Sequence, residues 1–291
     1  MNKLHSLLDS LITLMIMLVP FSSIAQQQSR GADSSRGAPL SPSLRDTTVG
    51  NSASPAVLPL LRVIENRAFQ AGERLDYIVR YGMIVAGASR LSIPEIVEID
   101  GYPCYHILSE AWSNAFFSTF YKVEDKIQSY TDVQGIFTRR YEKRQREGHF
   151  KRDSYYEYDQ ALHLAKSKKD TVSVPPFVQD VLSAMYFVRT QTLAPGDTLF
   201  VDNHSDGKIY PLQIVVHRRE KVSVRAGKFQ CLVVEPFLQT PSLFEQKGRV
   251  VVHLTDDYRK IPVLMTSQIY VKGLKVGKIV VEMEKMSGVV K

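Results

Sequence analysis

From Glu73 onward, apolar and polar residues alternate with a period of two, and any fold for this chain has to satisfy that alternation. In residues 73–81, Leu75, Tyr77, Val79 and Tyr81 share one face, while Arg74, Asp76 and Arg80 share the other, with Ile78 the apolar exception. The pattern resumes over 84–93, where Gly87 marks a bulge or a close backbone approach. Asp100-Gly101 is a hairpin signal, and strands are read over 102–110, 120–132, 135–146, 150–158 and 162–166. One segment breaks the period. After Pro175-Pro176, residues Phe177, Val181, Ala184, Met185 and Val188 fall at helical spacing, Leu182 and Tyr186 widen the apolar face, and Pro195-Gly196 stops the run. Strands then return over 197–202, 208–220, 222–224, 228–235, 248–255, 261–272 and 275–285, with turns at Asp206-Gly207 and Lys272-Gly273. The predicted fold is mainly β: a strongly curved antiparallel sheet, a half-barrel or open barrel, with one principal helix packed on or in it. A parallel α/β arrangement is disfavoured because strands and helices do not alternate. Gly101-Tyr102-Pro103-Cys104 is echoed by Gly227-Lys228-Phe229-Gln230-Cys231, which two duplicated meanders or chance would explain equally well.

What precedes this body reads differently. Residues 1–25 have the plan of a secretory signal: Lys3, the apolar run 11–19, Pro20, and the small-x-small step Ser23-Ile24-Ala25. The run is too short to span a bilayer, although an uncleaved anchor is the alternative, and no cysteine follows it to carry a lipid. Residues 26–59 are rich in Gln, Ser, Pro and Gly and offer little apolar surface, so a disordered linker is expected there, with a single β-rich domain over 60–291. Only two cysteines and no sustained heptads rule out disulfide scaffolds and coiled coils, and no other apolar run suggests a polytopic membrane protein. Residues 1–25 hold one Lys and one Asp, so the remainder keeps the net charge of +7. Export makes nucleic acid an implausible partner; an anionic membrane or glycan, or simple solubility, fits the charge.

The segments Phe69-Gln70-Ala71-Gly72-Glu73-Arg74-Leu75-Asp76-Tyr77, Tyr81-Gly82 and Ala86-Gly87 resemble the opening of a bacterial exported family catalogued as domain of unknown function 3108. The likeness continues through Asp180-Val181-Leu182-Ser183-Ala184-Met185-Tyr186-Phe187-Val188-Arg189, Ala226-Gly227-Lys228-Phe229 with Val234-Glu235-Pro236, and 254–263, in the family's order. It implies a periplasmic or surface β-rich protein and lends no catalytic residues. By analogy of shape it points to curved half-barrels such as the periplasmic lipoprotein-localisation carriers.

No strong catalytic motif occurs. The histidines after the signal, His106, His149, His163, His204, His217 and His253, show no metal-ligand spacing, and no cofactor or metal is implied. Cys104 and Cys231 are candidates for a disulfide in an oxidising compartment; otherwise they are small buried apolar residues. Asp202-Asn203-His204-Ser205-Asp206-Gly207 lacks the closing Glu of a calcium loop and reads as a hairpin. Asp256 and Asp257 are adjacent, so on a strand they would point opposite ways; with Arg259 they read as a turn. Ser183 has no nucleophile elbow around it. Asp180, Ser183 and Arg189 form a polar stripe on the helix that would orient a ligand head group if the helix lay in the sheet's concavity, or would otherwise salt-bridge to neighbouring strands.

Residues 139–153 are the most distinctive surface. Seven cations, Arg139, Arg140, Lys143, Arg144, Arg146, Lys151 and Arg152, stand against three acids and are interleaved with Tyr141, His149 and Phe150. On a hairpin they would make a cationic ribbon suited to phosphorylated lipid heads or acidic polysaccharide, or a charged edge that blocks sheet aggregation. The leading expectation is a non-enzymatic exported envelope protein, periplasmic or associated with the outer membrane, that binds or carries a hydrophobic or amphipathic ligand in its curved sheet. Peripheral membrane contact is compatible with that. An envelope-assembly factor docking a partner is the second reading, and a glycan-directed hydrolase the third.

Overall fold

The computed structural model describes residues 62–238, 250–271 and 274–291. The segments 1–25 and 26–59, Leu60 and the turn at Lys272-Gly273 lie outside the described residues.

The alternation becomes strands throughout. In β1 (Arg74–Tyr81), Leu75, Tyr77 and Val79 are buried and Tyr81 packs beside them, the face expected from the period. There follow β2 (Ile84–Ser92), β3 (Ile96–Ile99), β4 (Tyr102–Ser113), a four-residue helix α1 (Ala115–Ser118) and β5 (Glu124–Asp132). The first half ends with β6 (Thr138–Glu147), β7 (Phe150–Asp159), β8 (Leu164–Lys166) and β9 (Thr171–Ser173). After α2 (Val181–Thr190) come β10 (Thr198–Ser205), β11 (Lys208–Val224), β12 (Gly227–Leu238), β13 (Val250–Thr255), β14 (Pro262–Val271) and β15 (Leu274–Ser287). At Gly87 the backbone of β4 comes so close that any Cβ would collide with the carbonyl of Trp112, which is the close approach that glycine signalled.

Each half is an antiparallel meander, and the two are joined where β1 pairs β15. The described strands form a single 15-stranded sheet running from β10 through β15, β1, β2 and β4 to β9, with β3 paired to β4 alongside. The ladder does not close into a barrel, yet its ends meet. Gln179, between β9 and α2, makes an isolated parallel bridge to Asn203 of β10: Gln179 N donates to the Asp202 carbonyl at 2.9 Å, and His204 N donates to the Gln179 carbonyl at 2.8 Å.

The helix starts later than Pro175-Pro176 suggests. Phe177 sits at φ 57°, outside helical space, and the chain stays extended through Asp180, which caps α2. The Asp180 carboxylate accepts from Leu182 N and Ser183 N, while the Ser183 hydroxyl accepts from Asp180 N at 2.9 Å, a reciprocal capping box. Leu182, Ala184, Tyr186 and Val188 are buried, whereas Val181 and Met185, on the expected apolar stripe, are only half-buried against the core. The helix is covered on most sides, as its wide apolar face implies.

Both ends of the helix are tied by buried charge. At the N-terminus, Ser129 of β5 and Thr138 of β6 donate to Asp180 at 2.5 and 2.8 Å. Burial pushes this carboxyl up from its ordinary value, and those donors with the two backbone N–H groups oppose the shift. At the C-terminus, Arg189 forks onto Glu73 at 2.6 and 2.7 Å and donates to the carbonyls of Arg259 and Ala68, and Tyr186 donates to the same Glu73. Asp180, Ser183 and Arg189 are fully buried, so of the two readings of this stripe the pairing to neighbouring elements is observed, and the head-group site is not.

Replacing Arg189 with Met leaves Glu73 buried without its cation and is expected to cost roughly 3–5 kcal/mol in urea unfolding. The double change Glu73→Gln with Arg189→Met should recover a large part of that loss, because no charge is then stranded. Additive losses in the double variant would contradict this account.

Candidate functional site

Period-2 geometry divides the basic hairpin between two faces. Along β6, Tyr141, Lys143, Gln145 and Glu147 point inward and are buried, while Arg140, Glu142, Arg144 and Arg146 point outward. Lys143 has no exposed side-chain surface and donates to both Asp206 oxygens at 2.9 and 3.0 Å. Desolvation pulls its ammonium down, and Asp206 opposes that. Arg139 is also buried, pairing Asp132 at 2.7 Å and stacking over the Tyr102 ring. Two of the seven predicted surface cations are therefore structural, because a strand cannot show consecutive side chains on one face. Arg140 leans toward Glu157 at 3.5 Å, Arg146 is bidentate to Asp153, Arg152 reaches Asp206 at 3.3 Å, and Arg144 and Lys151 are exposed.

Asp206 is the hub of this region. Its position and that of Gly207 both have positive φ, which makes the tight turn between β10 and β11; the hairpin reading of 202–207 is the one observed. Ser154 of β7 also donates to Asp206, at 2.8 Å. Beside it the Tyr158 hydroxyl meets His204 Nδ1 at 2.8 Å, and burial pushes the imidazole down to about 4. His204 is thus neutral near neutral pH. Asp256 and Asp257 lie just beyond β13, bonded to Arg219 and Arg259 respectively, which confirms the turn reading.

Beside this hub lies an open groove of about 530 Å³ between β7 and the β8–β9 turn. Lys151, Arg152, Tyr155 and Tyr156 line one wall, and Lys168 and Lys169 the other. The turn is held by Ser167, whose hydroxyl accepts from the N–H groups of Lys169 and Asp170 at 3.1 and 2.9 Å, so the two lysines are carried at an exposed tip. Asp153 and Asp170 also border the groove, and Asp153 is engaged by Arg146. Reading the sequence as a basic hairpin found Lys151 and Arg152 but not Lys168 and Lys169. The available signal was the Ser-Lys-Lys-Asp run after a short strand; what brings it to β7 is the β7–β8 pairing.

Cys104 and Cys231 are both free and buried, so of the two readings the small buried apolar residues are observed and the disulfide is not. Five strands separate β4 from β12 along the sheet, whereas a bridge needs Cα atoms about 5.5–6 Å apart. Burial raises each thiol to about 12.

One acid pair went unread in the sequence. Asp125 of β5 and Glu147 of β6 face each other inside the sheet; Arg146 N donates to Asp125 at 2.6 Å, and Gln145 donates to Glu147 at 2.9 Å. The second oxygen of each carboxyl group, Asp125 Oδ2 and Glu147 Oε2, is buried without a hydrogen-bond partner. Burial, then the neighbouring charge, pushes Glu147 up to about 8, and burial raises Asp125 as well.

The site and fold together define a class: an open, curved β-sheet plugged by a helix, with a cationic groove between β7 and the β8–β9 turn. The chain belongs to the family described as protein of unknown function DUF3108, whose profile matches residues 76–283. No curated protein matches the chain. A β-barrel-like protein of domain of unknown function DUF1849 from Brucella abortus is similar in structure at a TM-score of 0.50 and 10% identity, covering 78% of this chain and 98% of that one. At that identity the likeness shows the fold alone. Two further structures match over 77% and 76% of this chain and 100% and 99% of their own. One, from Parabacteroides distasonis, is provisionally described as a lipoprotein (TM-score 0.35, 9% identity), the other, from Bacteroides fragilis, as an exported protein with a YmcC-like fold (0.29, 13%); these scores bear on neither fold nor function.

Between the ordinary glutamate value of 4.5 and about 8, folded Glu147 holds a proton that the unfolded chain has released. Its contribution to stability is therefore complete below that window, falls as pH rises through it, and levels off above. Melting curves between about pH 5 and pH 9 should show this decline, and Glu147→Gln should remove most of it while raising the melting temperature at the alkaline end. A variant with the parent's slope would place the titration elsewhere.

Proposed function

We propose that this chain is an exported, non-enzymatic envelope protein that binds an anionic envelope component, a phosphorylated head group or an acidic saccharide, in the groove between β7 and the β8–β9 turn. The observation that carries the reading is the groove itself: Lys151 and Tyr155 of β7 and Lys168 and Lys169 of the facing turn border about 530 Å³ of open space, with Arg152 and Tyr156 at its base. Cations arranged around a concavity attract an anion more strongly than the same charges spread over a convex face, and tyrosine rings add flat surface for a sugar or a glycerol backbone. Export rests on the signal-like pattern of residues 1–25, and the net charge of +7 suits an anionic partner.

The ligand is placed in this groove rather than in the concavity because α2 occupies the inner face. Leu182 and Tyr186 are fully buried there against the sheet core. The groove's own hydroxyls are engaged structurally, Ser154 with Asp206 and Ser167 within its turn. The acid pair of Asp125 and Glu147 is buried, out of reach of a glycan, so the hydrolase reading gains no support from it.

The triple variant Lys151→Glu, Lys168→Glu and Lys169→Glu tests the proposal by calorimetric titration with two soluble probes, polygalacturonate and inositol hexakisphosphate. The parent should bind at least one of them, more weakly at about 300 mM salt than at about 50 mM. The variant should lose at least roughly tenfold in affinity with little change in melting temperature, since exposed charges contribute about 1 kcal/mol or less each. Preference for the first probe identifies an acidic saccharide, and preference for the second a phosphate group. A parent that binds neither, or a variant that binds as well as the parent, overturns the proposal.

A further inference from the structure

The two ends of the sheet meet at a short seam whose side chains are poorly matched. Its backbone pairing is the parallel bridge between Gln179 and Asn203, made by Gln179 N to the Asp202 carbonyl and His204 N to the Gln179 carbonyl. Gln179, Asn203 and His204 are each 1% exposed or less. Gln179 donates from its side chain to the Ile136 carbonyl at 2.7 Å. Yet Gln179 Oε1, both polar atoms of the Asn203 amide and His204 Nε2 have no hydrogen-bond partner among the described residues. A buried polar atom without a partner is costly, and each of these would find one in water if the seam parted. Parting need not spread, because β10 keeps its ladder with β11 from Thr198 to Ser205 on its other edge.

His204 is the titratable member of the seam. Tyr156 and Tyr158 of β7 pack edge-on against its ring at 4.8 and 5.5 Å, and the Tyr158 hydroxyl meets Nδ1 at 2.8 Å. Both phenols are held above their ordinary value by burial and stay neutral. Asp206, in the turn that follows, is the acid that favours a charged imidazole, and its carboxylate is already engaged by Lys143 of β6 and by Ser154 and Arg152 of β7. Asp180, next to Gln179, turns instead to Ser129 and Thr138, and Asp202 is exposed. An imidazolium carries two N–H donors. The Tyr158 oxygen can accept one of them, but a proton on Nε2 would be buried with no acceptor. The closed seam therefore fits only the neutral ring, and burial accordingly holds it at about 4 against an ordinary 6.5.

We propose that the seam is an acid-operated latch, closed while His204 is neutral and parted, with the rest of the sheet intact, when its imidazole takes up a proton. Between 6.5 and about 4 the parted seam binds a proton that the closed one refuses, so the parted fraction rises as pH falls through that interval and is constant above it. Parting bares the backbone edge of β10 at residues 202–204, which the bridge otherwise covers. Glu147 titrates in the opposite sense, stabilising the whole fold as pH falls, so the latch has to be read locally rather than from the melting temperature. The latch does not depend on what the groove binds.

Amide hydrogen exchange followed by NMR on the full chain tests it, with each rate divided by the intrinsic rate at the same pH. The protection of the Gln179 and His204 amides should fall by roughly tenfold or more between about pH 7 and about pH 5. The amides that pair β1 with β15, in the same sheet, should hold or gain protection over that range. His204→Gln cannot take up the proton, and its seam should show the same protection at both pH values. Tyr158→Phe keeps the titrating ring and removes the acceptor of Nδ1, so its seam should be less protected at pH 7 and should still lose protection towards pH 5. This second variant keeps the proposal testable if His204→Gln does not fold. Seam protection in the parent that is equal at both pH values overturns the proposal, as does an equal loss in β1 and β15, which would mean global unfolding. A His204→Gln seam that loses protection as the parent's does, or a Tyr158→Phe seam that does not respond to pH, overturns it by placing the proton elsewhere.

Discussion

A sheet that runs as an open path has two free edges, and this one is held by the ion pair between Lys143 and Asp206. Lys143 belongs to β6 in the first meander and Asp206 to the turn that opens the second. Both side chains are essentially without solvent contact, so either charge alone would be strongly opposed in that place. The pair, with Ser154 and Arg152 on the same carboxylate, joins the ends of the sheet where backbone pairing amounts to one bridge at Gln179. Strand edges left bare are templates for pairing between molecules, and curling the sheet until its ends cover one another removes that hazard.

The interior follows from the same curvature. A strongly bent sheet encloses more volume than its own side chains fill, and α2 supplies the missing atoms with Leu182 and Tyr186. Because the helix ends also fall inside, their orphan backbone groups and nearby charges need partners there. Asp180 answers the N-terminal N–H groups, and Arg189 with Glu73 anchors the other end.

Local pattern was enough where the answer is local. The face shared by Leu75, Tyr77 and Val79, the need for Gly87 and the hairpin at Asp206-Gly207 all follow from periodicity or turn chemistry within a few residues. The helix was recognised but its start was misplaced: Phe177 fits the apolar spacing, yet its backbone is left-handed and its N–H is taken by the side chain of Gln160 at 3.0 Å, 17 residues away. The candidate site was half legible. Lys151 and Arg152 stood out by charge density, whereas Lys168 and Lys169 joined them only through pairing with β7. Lys143 looked like its neighbours because its partner lies 63 residues further on. Nothing local distinguished Asp125 and Glu147, whose meeting depends on the register of β5 against β6 and the bridge at Val123.

The two cysteines have a consequence for where this chain can fold. Each is buried, unbonded and held far from the thiolate state. The native structure therefore asks nothing of an oxidant or an isomerase, and it is the same object in a reducing cytosol as in an oxidising space beyond the membrane. Each thiol becomes reactive only when its strand opens, so the two act as built-in clocks for the two meanders: the rate at which an alkylating reagent captures Cys104 reports the first half breathing, and the rate at Cys231 the second.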